Sequence, residues 1–237
     1  MQNKNKQCSQ LFRPPIENKA FKCEFITFGR VLKLSKILAL KIRASGYNPD
    51  IIIAIGRGGY VPARLISDFL LFNDLTSMKI EHYTRAACLQ PETRIRFPIS
   101  TDISGKKVLV VDDITDTGDT LKLAIDYIWT LNPLSVKTAV LQHKPCSSFV
   151  PDFYSQKITK WRWIIYPWAR YEDLAGFTEK ILLDNPLNLS QIITEFKKRY
   201  KLEPKSPEIL EILKDLTERG ELEYFKGNIP QWRTLKK

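Results

Sequence analysis

Four aspartates, Asp112, Asp113, Asp116 and Asp119, crowd one short stretch and are interleaved with Thr117, Gly118 and Thr120. An apolar run, Val108 to Val111, precedes them, and an amphipathic segment starting at Leu121 follows. A strand that turns sharply into a helix offers free backbone N–H groups at the helix start, and the threonine hydroxyls add to them, so the turn is an anion cradle. Gly118 lets the backbone approach a bound phosphate closely. Carboxylates repel a bare phosphate, so something neutral or cationic must lie between the acids and the anion. Ribose hydroxyls and a magnesium ion meet that need, with hydroxyls donating to Asp112 and Asp113 and a 5′-phosphate in the cradle beyond. A nucleotide triphosphate chain would instead call for a Walker lysine, which is absent.

Other segments carry polar chemistry at corresponding places. Gly56-Arg57-Gly58-Gly59 ends a second apolar run, Ile51 to Ile55, and is a glycine turn bearing one fixed cation. Lys144-Pro145 follows the run Val136 to Leu141, and Trp163-Ile164-Ile165-Tyr166-Pro167-Trp168 is an aromatic-rich strand candidate. Between them in the chain lies Thr84–Arg94, polar, containing Pro91 and entered through Tyr83. It reads as a loop able to move, with Arg85 and Arg94 on it.

The elements that hold these groups follow from periodicity. Val31, Leu34, Leu38 and Ile42 recur at helical spacing behind a capping Thr27, and Val61, Leu65 and Phe69 mark a second helix. Short β-branched runs at 51–55, 108–111 and 136–141 read as buried strands, with further strands near 79–83 and 95–98. Buried strands alternating with amphipathic helices predict an α/β fold, a doubly wound and mostly parallel sheet. Ligands of such sheets bind at the carboxyl ends of the strands. After Trp168 the texture changes. Three helical stretches, near 172–183, 190–200 and 206–219, are separated by Asn185-Pro186 and Pro204 and show no strand pattern. The expected organisation is a core over 1–170 and a C-terminal three-helix bundle over 171–237.

Composition sets the outer bounds. No apolar stretch approaches the roughly 20 residues that cross a bilayer, and the N-terminal segment is polar, without the apolar centre of a secretory signal. A cytoplasmic protein with no membrane partner is expected. Cys8, Cys23, Cys88 and Cys146 are scattered without a CxxC pair, and with two histidines in the chain neither a zinc site nor a disulfide framework is expected. The net charge of +11 points to an anionic partner.

The stretch from Val108 to Leu121 resembles the phosphoribosyl pyrophosphate (PRPP) motif of the type I phosphoribosyltransferases: apolar strand, paired acids, then Asp-Thr-Gly-x-Thr. The resemblance implies that Asp112, Asp113, Asp116, Thr117, Gly118, Asp119 and Thr120 bind the ribose phosphate, and that Asp112 meets Mg2+ indirectly, through ribose or water. It implies a pyrophosphate loop at Arg57, Gly58 and Gly59, with a cis peptide around Gly56-Arg57, helped by Tyr83 and Arg85 from a lid. In the 6-oxopurine branch a lysine at the place of Lys144 donates to the base oxygen and an aromatic stacks on the purine, here Trp163 with the Ile164 backbone at the base edge. Asp116 is then the general acid–base at purine N7, and Arg57 stabilises the leaving pyrophosphate. The implied substrates are PRPP and a purine base, and a homodimer is the expected assembly.

Two features divide over the base. Lys144 is a donor and suits the O6 acceptor of hypoxanthine or guanine, whereas adenine presents a donor there. The C-terminal third resembles the architecture of adenine phosphoribosyltransferases of one archaeal lineage, a 6-oxopurine-like core followed by helices. On that architecture the reading taken is adenine, giving AMP and pyrophosphate, with a 6-oxopurine enzyme as the alternative. Two rivals stand apart: a PRPP-sensing regulator that binds nucleic acid, and a pyrimidine or orotate enzyme. The intact Arg57 turn and the Lys144–Trp163 pattern disfavour both, so nucleic acid is not an expected partner.

Overall fold

The apolar runs lie side by side at the centre of a six-stranded sheet in the computed structural model of the chain, which describes residues 20–84 and 88–235. In chain order the elements are β1 (Cys23–Phe25), α1 (Phe28–Ala44), β2 (Ile51–Gly56), α2 (Tyr60–Leu70), β3 (Leu75–Thr84), β4 (Cys88–Phe97), β5 (Lys107–Thr115) and α3 (Asp119–Trp129). There follow β6 (Ser135–His143), β7 (Phe153–Lys157), β8 (Trp163–Ile165), α4 (Arg170–Ile181), α5 (Leu189–Tyr200), α6 (Ser206–Glu218), β9 (Leu222–Phe225) and β10 (Gln231–Thr234).

The chain divides into two units, the first holding residues 27–82 and 89–161, the second residues 20–26, 83–84, 88 and 162–235 of the described chain. The first unit is built on the sheet, in the order β4-β3-β2-β5-β6-β7. The pairs β2–β3, β2–β5, β5–β6 and β6–β7 are all parallel. Every residue of β2 is buried, as are Val108 to Val111 of β5 and Ala139 to Leu141 of β6, which is why these strands read as unbroken apolar runs and not as alternation. Thr27 caps α1 by accepting from the Arg30 N–H at 3.2 Å, and Val31, Leu34, Leu38 and Ile42 bury the predicted face. Strand order reverses between β2 and β5, so the first unit has its switch point where the glycine turn and the acidic turn emerge.

The loop read over 84–94 needs correction. β3 runs to Thr84 and β4 begins at Cys88, so most of that stretch is strand, and Arg94 donates to Glu81 across the pair at 3.3 Å. The polar run around Pro91 lacks the alternation that marks a strand and so hid an edge strand, where proline is tolerated because one side of the strand makes no ladder bonds.

The second unit pairs β1 with β8 in parallel and carries α4, α5 and α6 with an antiparallel β9–β10 hairpin. Its core gathers Leu174, Phe177, Phe196, Ile209, Leu213 and Leu216, and the Phe177 and Tyr200 rings stack at 4.2 Å. Asn188 and Gln191 form a capping box at the start of α5. This unit begins at Arg162 and includes strands, whereas the texture change after Trp168 suggested helices alone. β8 is three residues long and its partner is near the other end of the chain, so local pattern carried no trace of the pairing. Among the described residues no helix is long and apolar enough to cross a membrane.

Candidate active site

β2 and β5 deliver their turns in register, with Ile51 opposite Val108 and Ala54 opposite Val111. The Gly56–Arg57 peptide is cis, as the resemblance implied. A side chain at Gly58 would place its first carbon 2.6–2.7 Å from the Asp113 carboxylate, so the glycine turn lies against Asp113 of β5, and a larger residue there would displace that carboxylate. A first carbon at Gly59 would likewise meet the backbone of Ile55 at 2.8–2.9 Å. Arg57 thus sits on a turn whose next two residues are closely packed, Gly58 against the Asp113 carboxylate and Gly59 against backbone.

β5 extends further than the apolar run suggested, to Thr115, so Asp112 and Asp113 are strand residues facing opposite sides of the sheet, not residues of its end. Asp112 is buried, and its Oδ1 accepts from the Asp113 N–H at 2.9 Å. Burial, reinforced by the neighbouring Asp113 charge, holds the Asp112 carboxyl well above the usual carboxylate range. A buried acid in that condition ionises when a cation or hydroxyl donors come to it. Among the described residues no three Asp, Glu, His or Cys side chains gather as a metal cage. Magnesium that takes most of its oxygens from a substrate's phosphates and water needs only one or two carboxylates. The paired acids of β5 fit an ion presented by substrate.

The chain turns at 116–118 into α3. Gly118 has φ 97°, a left-handed conformation that favours glycine, and a side chain there would run into Ser147 Oγ at 2.5 Å and Phe149 at 2.8 Å. Thr117 Oγ1 accepts from the Asp119 N–H at 3.4 Å, and its carbonyl accepts from Ser148 N–H at 2.8 Å and from the Ser148 hydroxyl at 3.0 Å. Ser147, Ser148 and Phe149 therefore brace the turn from behind. Sequence reasoning missed them, and the only available signal was the polar turn following Lys144-Pro145.

Lys144 follows β6 directly. Its N–H bonds the Thr115 carbonyl at 3.0 Å, and its ammonium meets the Asp116 carboxylate at 2.7 Å with 1% of the side chain exposed. The structure thus joins two residues that the sequence assigned separately, one to the base and one to proton transfer. Trp163 lies in the second unit, where its indole N–H donates to Asp173 at 3.1 Å and its ring packs on the helical core. Ile164, buried, is opposite Glu24 in the β1–β8 pair. Arg85 lies outside the described residues, and of Tyr83 only the backbone, in β3, is described. Cys23 and Cys146 are free thiols; Cys8 and the side chain of Cys88 lie outside the described residues.

Residues 28–173 match the phosphoribosyl transferase domain. The xanthine-guanine phosphoribosyltransferase of Cereibacter sphaeroides is 31% identical over 136 residues, which are 55% of this chain and 78% of that protein. Xanthine phosphoribosyltransferase 1 of Saccharomyces cerevisiae is 27% identical over 194 residues, 65% of this chain and 92% of that one. The crystal structure of a purine phosphoribosyltransferase from Pyrococcus horikoshii superposes with a TM-score of 0.54 at 35% identity, covering 62% of this chain and 93% of that one. The chain belongs to the phosphoribosyl transferase family and, within it, to the enzymes of the purine branch. The matched relatives act, by name, on xanthine, guanine and hypoxanthine, which supports the 6-oxopurine alternative better than the adenine reading.

Proposed function

We propose that this chain transfers 5-phosphoribose from PRPP to a 6-oxopurine base, forming the nucleoside 5′-monophosphate and pyrophosphate. The observation that carries the choice of base is Lys144, a buried cation at the carboxyl end of β6 beside Asp116, which offers a fixed donor to an O6 acceptor.

In this reading the Thr117 and Thr120 hydroxyls and the N–H groups of Gly118 and Asp119 hold the 5′-phosphate at the start of α3. Asp112 and Asp113 accept from the ribose hydroxyls. Arg57, with the N–H groups of Gly58 and Gly59, binds the pyrophosphate and offsets the charge it gains as its bond to C1′ breaks. Asp112 would hold magnesium indirectly, through ribose or water, and the ion when bound screens the same charge. Purine N9 forms the new bond to C1′, and Asp116 takes the proton released at N7. Tyr83 and Arg85 are assigned to the pyrophosphate side, and Trp163 with Ile164 to the base. A homodimer is the proposed assembly, with core and C-terminal regions acting as separate modules.

Adenine is the second reading. It is favoured by one observation: α5, α6 and the β9–β10 hairpin lie beyond the residues matched to the family domain. Pyrophosphate release from PRPP and magnesium, with hypoxanthine, guanine, xanthine and adenine supplied separately, tests both. Turnover with an oxopurine supports the main reading; turnover with adenine alone transfers the assignment to the second. If PRPP binds and no base is turned over, both are wrong.

A further inference from the structure

Lys144 is the largest side chain that the described residues bury almost completely. Burying an ammonium costs several kcal/mol unless its donors are met by partners. Asp116 meets it from one side, at 2.7 Å. From another lies Trp161, whose ring centroid is 5.0 Å from Nζ, within the range at which an aromatic face attracts a cation. Trp161 belongs to the same unit as Lys144 and stands in the segment between β7 and β8, outside any regular element. Among the described residues Lys144 is the one lysine buried to this degree, and Trp163, two residues on from Trp161, is engaged with Asp173.

We propose that Trp161 is a positioning residue for base selection: its ring face holds the Lys144 ammonium at Asp116, stripped of water and aimed, before the base arrives. The proposal rests on the reading of Lys144 as the group that meets position 6 of the purine. A desolvated ammonium at a fixed place rewards an acceptor and leaves a donor unsatisfied, because a buried polar group without its partner loses the full cost of its lost hydration. An ammonium free to leave that place, or to gather water, discriminates less. The ring face is what prevents this, so its shape and polarity matter and its N–H does not.

The test compares Trp161→Phe, which keeps a ring face, with Trp161→Leu, which keeps bulk without one. Two measurements are made on each and on the wild type. The first is the KM for the oxopurine and for PRPP. Trp161→Leu is expected to raise the base KM about tenfold, to leave the KM for PRPP within about twofold, and to narrow the ratio of oxopurine to adenine kcat/KM by about tenfold; Trp161→Phe restores most of the difference. The second needs no turnover: the rate at which acetic anhydride labels Lys144, followed by mass spectrometry. Labelling should quicken about tenfold in Trp161→Leu and stay slow in Trp161→Phe. Equal labelling of Lys144 in the wild type and Trp161→Leu overturns the proposal whatever the enzyme does with purines. Equal loss of affinity for base and PRPP overturns it as well, since a structural defect would do that. If labelling changes as expected and no oxopurine is turned over by the wild type, the positioning of Lys144 stands and the reading of the base falls.

Discussion

The two units bury different things. At the carboxyl ends of β5 and β6 the first unit buries Asp112, Thr115, Gln142, His143 and Lys144, whereas among the described residues the second buries Asp173 and Thr178 beside an otherwise apolar core. Polar groups are expensive to bury and the cost recurs in every folded molecule, so a cluster of them marks a place where binding or chemistry returns something for it. An apolar core of Leu, Ile and Phe does one thing, which is to hold helices together. The contrast is between buried polar groups in the first unit and apolar cohesion in the second, and it can be broken or sharpened by mutation in either.

The largest effect is expected at Gly58. Gly58→Ala puts a carbon 2.6–2.7 Å from the Asp113 carboxylate, so that carboxylate must leave its place beside the glycine turn. Displacement of a reacting group by even 1 Å can cost on the order of a hundredfold in rate. Steady-state turnover should fall by about that factor while far-UV circular dichroism stays that of the wild type. Unchanged turnover would mean that contact between the two turns is incidental. In the second unit the matching experiment is Phe196→Ala, fully buried, expected to cost about 3–5 kcal/mol of stability in denaturant unfolding. The contrast predicts that at low temperature, where the variant remains folded, the KM for PRPP is unaltered. A raised KM there would show that the second unit shapes the substrate site.

Legibility followed the same division. Strands β2, β5 and β6 were plain in the sequence because burial on both faces makes them uniformly apolar, and the acidic turn was plain because Asp-Thr-Gly-Asp-Thr has few other physical uses. The pairing of Lys144 with Asp116 was not readable: 28 residues separate them, and only the parallel alignment of β5 with β6, Thr115 opposite His143, brings them together. Trp163 drew attention through its aromatic neighbours, yet the tryptophan at Lys144 is Trp161, on a segment with no periodicity to read. The first part of strand β4 was misread as a loop because an edge strand alternates weakly, and β1, β9 and β10 are three or four residues long, too short for a period to register.

A smaller effect is expected from Asp112→Asn. Burial and the Asp113 charge raise the Asp112 carboxyl in the folded state, so the folded protein resists its ionisation. A group raised on folding contributes stability that is complete below its unfolded value and lost as pH rises through its folded value. The amide has no charge to bury. Asp112→Asn should therefore melt higher than the wild type at pH 8, with Tm rising about 2–4 °C for each kcal/mol relieved, and the difference should close as pH falls into the ordinary carboxylate range. Ribose recognition should weaken at the same time, seen as a higher KM for PRPP. A more stable and less active variant sharpens the contrast; a less stable one would mean that Asp112 is a packing residue.

The smallest effect belongs to the surface of the second unit. Arg170 grips Glu208 with two hydrogen bonds, Nε to Oε1 at 2.5 Å and Nη2 to Oε2 at 2.8 Å, linking the start of α4 to the start of α6. The hydrogen bonds from Arg170 hold Glu208 below the usual glutamate range, more strongly than burial pushes it up. The sign is opposite to that of Asp112: stability from this pair is present above the unfolded glutamate value and lost as pH falls through the lowered one. With 36% of the Arg170 side chain exposed, water and salt screen much of the attraction, so Glu208→Gln should cost no more than about 1 kcal/mol at neutral pH. The cost should shrink in high salt and vanish in acid, and turnover should not change at any pH. Chemical denaturation at pH 7 and pH 3, with and without salt, reads all of this. A loss of activity in Glu208→Gln would place a charged contact of the helical unit in the service of the substrate site, which a unit devoted to cohesion does not require.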